Sequence, residues 1–325
     1  MSSKSVLISE GILKGQNLHA LWLRERLSGD DFVDKNNLQR LYEPNLLDDN
    51  LTINEYKINN NFLEISFSDG SNGKININEL YEEINSIDVI PNKKIWSASD
   101  KLQIFDNNQI QENKKYLINM LKSFYEYGYV IIENTKPEQN EVINFAEKLG
   151  PVRTTNWGKL FNVVSKPNPN DLAYTALELK SHSDNPYRKP VPGIQLLHCI
   201  ANESVGGDSS LVDGYSVTEF LKKNHKKFYK ILTETNVNFK FTDVDVILEN
   251  KSKLIELYDN GVFKQINFSS RLDYVPNLRF EDLEIFYQAR KCMYELCNSD
   301  QFKIKFRLSA GMIAMFDNLR TLHGR

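Results

Sequence analysis

The stretch KSHSDNPYRKPVPGIQLLHCIANESVGGDSSLVDG, residues 180–214, decides how the chain is read. It holds two short runs, Ile194–Ala201 and Ser209–Val212, that read as strands, with the Gly206-Gly207 turn before the second. The same pattern continues outward. Phe161–Ser165 precedes it, and Val237–Phe241, Phe263–Phe268, Ile304–Leu308 and Met312–Asp317 follow. Two helices interrupt these strands, about Val217–Thr233 and Phe280–Ser299. Further upstream, a helix over about Asn108–Tyr127 carries Leu117, Leu121 and Phe124 on one face and is stopped by Gly128. Tyr129–Glu133 is then a strand, and a helix over about Glu138–Leu149 ends at Gly150-Pro151. Many short strands, few helices and no βα alternation predict a mostly β architecture with flanking helices. A β-sandwich or a jelly roll satisfies that pattern and a Rossmann fold does not. No GxGxxG, P-loop or GxSxG is present, so those three chemistries lack their usual signatures.

Residues 1–94 read as a small β-rich N-terminal domain, and residues 95–325 as the catalytic part. Asn17–Ser28 (NLHALWLRERLS) is amphipathic, and Gly29–Asn50 is polar without a period. Leu51–Ile58, Asn61–Phe67 and Ile75–Ile77 read as strands, separated by NNN and SDGSNGK turns. Ile87–Ile95, with Pro91, is the expected linker.

The chain has 325 residues, 41% apolar, 11% aromatic and 26% charged, with net charge -3 and pI near 6.0. These are values of a globular protein able to bury a core. A nucleic-acid or anionic-membrane partner would need a basic surplus, and none exists. No apolar run approaches the roughly 20 residues of a membrane span. The start, MSSKSVLISEGIL, lacks a signal-peptide h-region and cleavage site. Three scattered cysteines, Cys199, Cys292 and Cys297, argue for core thiols in a reducing cytoplasm rather than a disulfide framework.

The chemistry-bearing run is His182-Ser183-Asp184. In an extended segment, residues two apart project to one side, so His182 and Asp184 can hold one ion together. One further histidine completes a two-histidine, one-carboxylate set that leaves three metal positions open. The chain has five histidines. His19 lies in the N-terminal domain, His198 in the apolar run IQLLHCI, and His225 among lysines on a helix. His323, in FDNLRTLHG, is the best third ligand by elimination. A lone HxD also occurs at surface strand ends, so its surroundings carry the weight.

Those surroundings resemble the γ-butyrobetaine dioxygenase family, within the taurine-dioxygenase-like superfamily. The matching stretches are WGKLFNV, NDLAYT, HSDNPYRKPVPGIQLLHC, GGDSSLVDG and the end FDNLRTLHGR. The initial ALWLRER resembles the start of that family's N-terminal domain. The resemblance implies a distorted double-stranded β-helix, a jelly roll. It implies Fe(II) held by His182, Asp184 and His323, with 2-oxoglutarate and O2 as cosubstrates. Ser209 falls where the superfamily places a hydroxyl that bonds the far carboxylate of 2-oxoglutarate. The family's substrates are small trimethylammonium compounds, and carnitine biosynthesis is the process it implies. A homodimer is one oligomeric state among those left open.

At the cationic end of the implied pocket, Trp157, Phe161 and Tyr174 stand at the family's aromatic-cage positions, where ring faces attract a quaternary ammonium. Asn185 stands where some members have a further tyrosine. Asp171 stands where butyrobetaine hydroxylases have an asparagine that helps hold the substrate carboxylate, and an ionised Asp repels a carboxylate. Arg271, in FSSRLD, is suited to an anion and most of all to a phosphonate, which its fork can grip twice. The reading is therefore a γ-butyrobetaine-like hydroxylase, with 2-trimethylaminoethylphosphonate as the alternative substrate. Arg24–Gln39 contains no cysteine, so the structural zinc of the family's N-terminal domain is not expected. The family's main 2-oxoglutarate-binding arginine falls beyond Arg325, and so do its last strands. Truncation or degeneracy is the expectation, with a catalytically silent quaternary-ammonium-binding protein as the reading of another class.

Overall fold

The computed structural model describes residues 3–85, 92–164, 177–203 and 206–325. The chain divides into two compact units, Met1–Val89 and Ile90–Arg325.

In the first unit, β1 (Ser5–Leu7) pairs antiparallel with β2 (Asn17–His19), which turns directly into α1 (Ala20–Arg24). The His19 ring caps that helix by accepting the Leu21 N–H at 3.2 Å. β3 (Ile53–Asn59), β4 (Phe62–Phe67) and β5 (Asn72–Asn76) form an antiparallel meander. Alternation puts Leu63, Ile65 and Phe67 of β4 into one core with Ile53 and Ile75. The strand expected at Ile75–Ile77 ends early. The Asn76 side chain accepts the Asn78 N–H and starts α2 (Ile77–Ile84), a helix the period-2 reading does not contain. The polar stretch after α1 is fastened by Arg24. Its guanidinium lies 4.9 Å from the Phe32 ring centroid and 4.6 Å from that of Tyr42, and bonds Asp69 at 3.0 Å.

The second unit opens with β6 (Ile104–Asp106), α3 (Asn107–Glu112), α4 (Lys114–Tyr127), β7 (Tyr129–Glu133) and α5 (Glu141–Leu149). β8 (Ile194–His198) and β9 (Ser209–Asp213) follow, then α6 (Gly214–Asn224) and α7 (Lys226–Glu234). Next come β10 (Asn236–Asp243), β11 (Val246–Lys253), β12 (Ile255–Leu257), β13 (Phe263–Ile266) and β14 (Asp273–Tyr274). The chain closes with α8 (Phe280–Asn298), β15 (Lys303–Phe306), β16 (Ile313–Asp317) and β17 (Thr321–Gly324).

Helices are more prominent than a mostly β reading expects, and three expected elements differ. The single helix over Asn108–Tyr127 is two, because Asn113 is extended at φ -127° and its side chain accepts the amides of Lys115 and Tyr116. The helix over Val217–Thr233 is likewise broken, at His225. Residues 161–164 form no strand. Phe161, Val163 and Val164 are exposed there, and no strand among the described residues pairs with them.

Two sheets carry the unit. One has the order β6-β7-β16-β8 and the other β15-β9-β17. Tyr129 and Ile131 of β7, with Ala314 and Phe316 of β16, meet Leu211 of β9 and Ile304 of β15 in one core between the sheets. The alternate residues, Val130, Ile132, Ile313 and Met315, pack outward onto Ile110, Met120, Val142 and Phe145 of α3, α4 and α5. On the far side, Val212 and Leu322 face a core shared with α6, α7, α8 and β10. Strands apolar on both faces are what a sheet covered on both sides requires. The three cysteines are free, with Cys199 and Cys297 buried. No helix among the described residues is long and apolar enough to cross a membrane.

Candidate metal centre

Among the described residues, one group of His, Cys, Asp and Glu side chains is spaced to hold an ion. It is His182, Asp184 and His323, whose ligand atoms all lie within 4.8 Å of one another. Three contacts put them there. His323 lies on β17 opposite Leu211 of β9, and so faces the core between the sheets, where its ring lies 4.8 Å from that of Phe316. His182 forms a two-bond antiparallel bridge to His323, each N–H donating to the other's carbonyl at 2.9 Å. The intervening Ser183 is tied to the opposite edge, where its amide donates to Phe268 O at 2.8 Å and its hydroxyl accepts the Phe268 N–H at 2.9 Å. The HxD segment is thus bonded along both edges.

Asp184 is held by a buried asparagine in the turn between β16 and β17. Asn318 accepts the Asp184 N–H at 2.7 Å and donates to Asp184 O at 2.9 Å and Pro192 O at 3.0 Å. The carboxylate is held separately, by Gln195 from the facing sheet. Its amide donates to Asp184 Oδ2 at 2.7 Å. Gln195 pairs with Phe316 across β8 and β16, which aims it into the same inter-sheet space. Nε2 of His182 lies 3.4 Å from Asp184 Oδ1, and Nε2 of His323 lies 3.6 Å from Oδ2.

Asp184 and His323 are in the protonation states a cation needs. Burial alone would raise the Asp184 carboxyl, but His323, His182 and the Gln195 amide outweigh it and hold it well below the usual carboxylate range. Burial pushes the His323 imidazole down to about 4 despite the neighbouring carboxylate, so at neutral pH it is uncharged with a lone pair to give. His182 Nδ1 lies 2.8 Å from Lys180 O, which fixes its proton on that side and leaves Nε2 as the free lone pair. Two imidazoles and a carboxylate, with no fourth protein ligand among the described residues, suit an open-site divalent metal.

Beneath the site, Arg320 and Asp213 form a buried pair, at 1% and 0% exposure. Nε and Nη2 of Arg320 grip both carboxylate oxygens, at 2.9 and 3.0 Å, while Nη1 donates to Glu126 O at 2.8 Å. The pair anchors the same turn that carries Asn318.

The other residues expected at the site are distributed as follows. Ser209 shares the inward face of β9 with Leu211, the residue opposite His323. The rings of Trp157 and Phe161 are 6.3 Å apart, and Trp157 also meets Phe241 at 5.6 Å. Asn185 adopts a left-handed φ of 55° and accepts the Tyr187 hydroxyl. Tyr187 in turn stacks on Phe241 at 5.0 Å. Trp157, Phe241 and Tyr187 therefore form a row of aromatic contacts that reaches the residue after the Asp184 ligand. Arg271 is exposed, yet its charge reaches His323 and helps depress that imidazole. Asp171 and Tyr174 lie outside the described residues. Sequence reasoning missed Gln195, Asn318, Tyr187 and Phe241. For Gln195 the one available signal was an amide set among apolar strand residues in IQLLH, and for Asn318 an amide in the turn that follows the apolar strand IAMFD.

Residues 89–325 match the profile of the taurine catabolism dioxygenase TauD, TfdA family. The chain is similar to γ-butyrobetaine dioxygenase of Homo sapiens, 33% identical over 241 residues, which is 72% of this chain and 62% of that protein. It is also similar to trimethyllysine dioxygenase of Meyerozyma guilliermondii, 28% identical over 221 residues, 66% of this chain and 55% of that one. The chain thus spans less than two thirds of the length of these relatives. Among solved structures, an asparagine oxygenase in complex with Fe(II), 2S,3S-3-hydroxyasparagine and succinate superposes with a TM-score of 0.51 at 15% identity. That match covers 67% of this chain and 75% of the other, and the likeness extends to the fold.

Proposed function

The chain belongs to the taurine catabolism dioxygenase TauD, TfdA family, and from that premise we propose that it is an Fe(II)- and 2-oxoglutarate-dependent hydroxylase of a small trimethylammonium compound. The observation that carries the proposal is the convergence of His182, Asp184 and His323, whose ligand atoms lie within 4.8 Å of one another. His182 Nε2, the Asp184 carboxylate and His323 Nε2 would hold the iron. Iron bound there supplies the oxygen-activating chemistry that couples 2-oxoglutarate decarboxylation to hydroxylation of an unactivated carbon. The protein's own part is binding and orientation. Ser209 is the donor for the far carboxylate of 2-oxoglutarate. Trp157 and Phe161, with Tyr174, receive the quaternary ammonium, each desolvated ring face contributing up to about 2 kcal/mol.

The likeness to γ-butyrobetaine and trimethyllysine dioxygenases supports the trimethylammonium class. A γ-butyrobetaine-like substrate is the first choice within it. A phosphonate substrate, 2-trimethylaminoethylphosphonate, is the second reading, and the exposed Arg271 is the group that supports it. A guanidinium fork can engage two phosphonate oxygens at once.

Two measurements test the reading. Purified wild-type protein binds one Fe(II) per chain, and His182→Ala and Asp184→Ala bind none, by metal analysis under argon. Succinate release in air across a panel of trimethylammonium compounds then identifies the substrate. Wild-type metal content in both variants sinks the triad. Metal binding without succinate release on any compound leaves a silent binding protein.

A further inference from the structure

The proposed reaction needs three open positions on the ion, two for 2-oxoglutarate and one for O2, so the aspartate ligand has to bind through one oxygen only. A carboxylate with both oxygens free tends to chelate and would close one of those positions. His182 and His323 face different oxygens of Asp184, at 3.4 Å to Oδ1 and 3.6 Å to Oδ2, so the two histidines alone do not choose between them. Gln195 does. Its Nε2 donates to Oδ2 at 2.7 Å and to no other carboxylate oxygen. The amide arrives from β8, in the sheet opposite the β17 histidine, with its strand position fixed by pairing to Phe316. Asn318 holds the Asp184 backbone on both its N–H and its carbonyl, which fixes the point from which the carboxylate reaches Gln195.

We propose that Gln195 is a positioning residue that keeps Asp184 a one-oxygen ligand by occupying Oδ2, and so preserves the third open position on the metal. The inference rests on the iron reading given above. Losing this hydrogen bond has a signature that loosening of the site does not share. The ion stays bound, through two carboxylate oxygens instead of one, and a coordination position is lost to solvent.

Mn(II) is the probe, because it accepts the same donors and its exchangeable waters are counted by water-proton relaxation. Affinity is read in parallel from the free-ion resonance signal. The full chain is used as wild type, as Gln195→Met, which keeps length and bulk but donates nothing, and as Gln195→Leu in case the first variant misfolds. The expected result is one Mn(II) per wild-type chain with relaxation enhancement for three exchangeable waters. Either folded variant then loses about one third of that enhancement, three waters becoming two, with affinity equal to wild type or tighter. Unchanged enhancement in a metal-loaded variant overturns the role of Gln195 and leaves the iron reading intact. Weakened affinity in both folded variants, or failure of both to fold, also overturns it, since Gln195 is then scaffold. If wild type binds no Mn(II) and no Fe(II), the iron reading falls and this inference with it.

Discussion

Replacing Arg320 by Met tests how the turn between β16 and β17 is held. The guanidinium makes two bonds to Asp213, at 2.9 and 3.0 Å, and further bonds to the carbonyls of Glu126 and Lys94. Met fills most of the volume and supplies none of these. Asp213 then remains at 0% exposure with the Trp96 and Tyr215 amides, at 3.2 and 3.1 Å, as its remaining donors. Breaking a buried pair from one side costs about 3–5 kcal/mol, most of it the stranded charge. For a unit of this size, each kcal/mol moves the midpoint about 2–4 °C, so Arg320→Met should lower it by roughly 6–20 °C. Trp96 reports the event locally, because its indole donates to Tyr127 O at 2.6 Å and its own amide bonds Asp213. Urea unfolding followed by Trp fluorescence gives the free energy. The double variant Asp213→Leu/Arg320→Met removes both charges and should recover at least about 2 kcal/mol relative to the sum of the single changes. A loss under about 1 kcal/mol for Arg320→Met, or strict additivity in the cycle, refutes the reasoning.

Three further outcomes follow from the same contacts. Asn318→Ala strips partners from the Asp184 amide and from the carbonyls of Asp184 and Pro192, and should weaken Fe(II) or Mn(II) binding by about 10–100-fold in a direct titration of folded protein. Burial raises the Asp273 carboxyl from 3.8 to about 6 in spite of Arg290, so the folded state keeps a proton that the unfolded chain has lost across that window. Stability should therefore fall by up to about 3 kcal/mol as pH rises through it, and Asp273→Asn should remove that slope in urea midpoints taken at its two ends. Gly128 has a φ of +77°, and a Cβ there would lie 2.9 Å from Arg320 Cδ. Gly128→Ala should cost about 1–2 kcal/mol for the backbone alone, before any displacement of Arg320, measurable as a lowered melting midpoint.

The central strands were legible because they carry their signal locally. YVIIE and IAMFD are short apolar runs, and Gly128 ends the helix before the first of them. The triad that converges in the structure was legible because His182 and Asp184 stand two apart and few histidines compete to be the third. What remained hidden was decided across the chain. Asn113 and His225 break helices at polar positions between apolar residues that resume the helical spacing on either side. The Phe161–Ser165 run has strand-like residues, but residues 161–164 pair with no strand among the described residues. Gln195 and Asn318 are amides whose value lies in what they touch, and Asn318 touches a backbone 134 residues away. Arg320 and Asp213 are 107 residues apart, and nothing local marks either as buried.

The bridge between His182 and His323 also bears on the order in which the protein becomes functional. One half of the donor set is made long before the other, and β17 is the element that brings the second histidine. During synthesis, His182 and Asp184 emerge as ordinary polar residues on an unfinished surface. No ion can be captured until the ribosome has released β17 and that strand has docked beside β9. Contacts of such high sequence separation form slowly, because the chain must close a long loop before it gains anything. The ion is then a late arrival that favours the finished form, adding about 2.7 kcal/mol when free metal stands at a hundred times its dissociation constant.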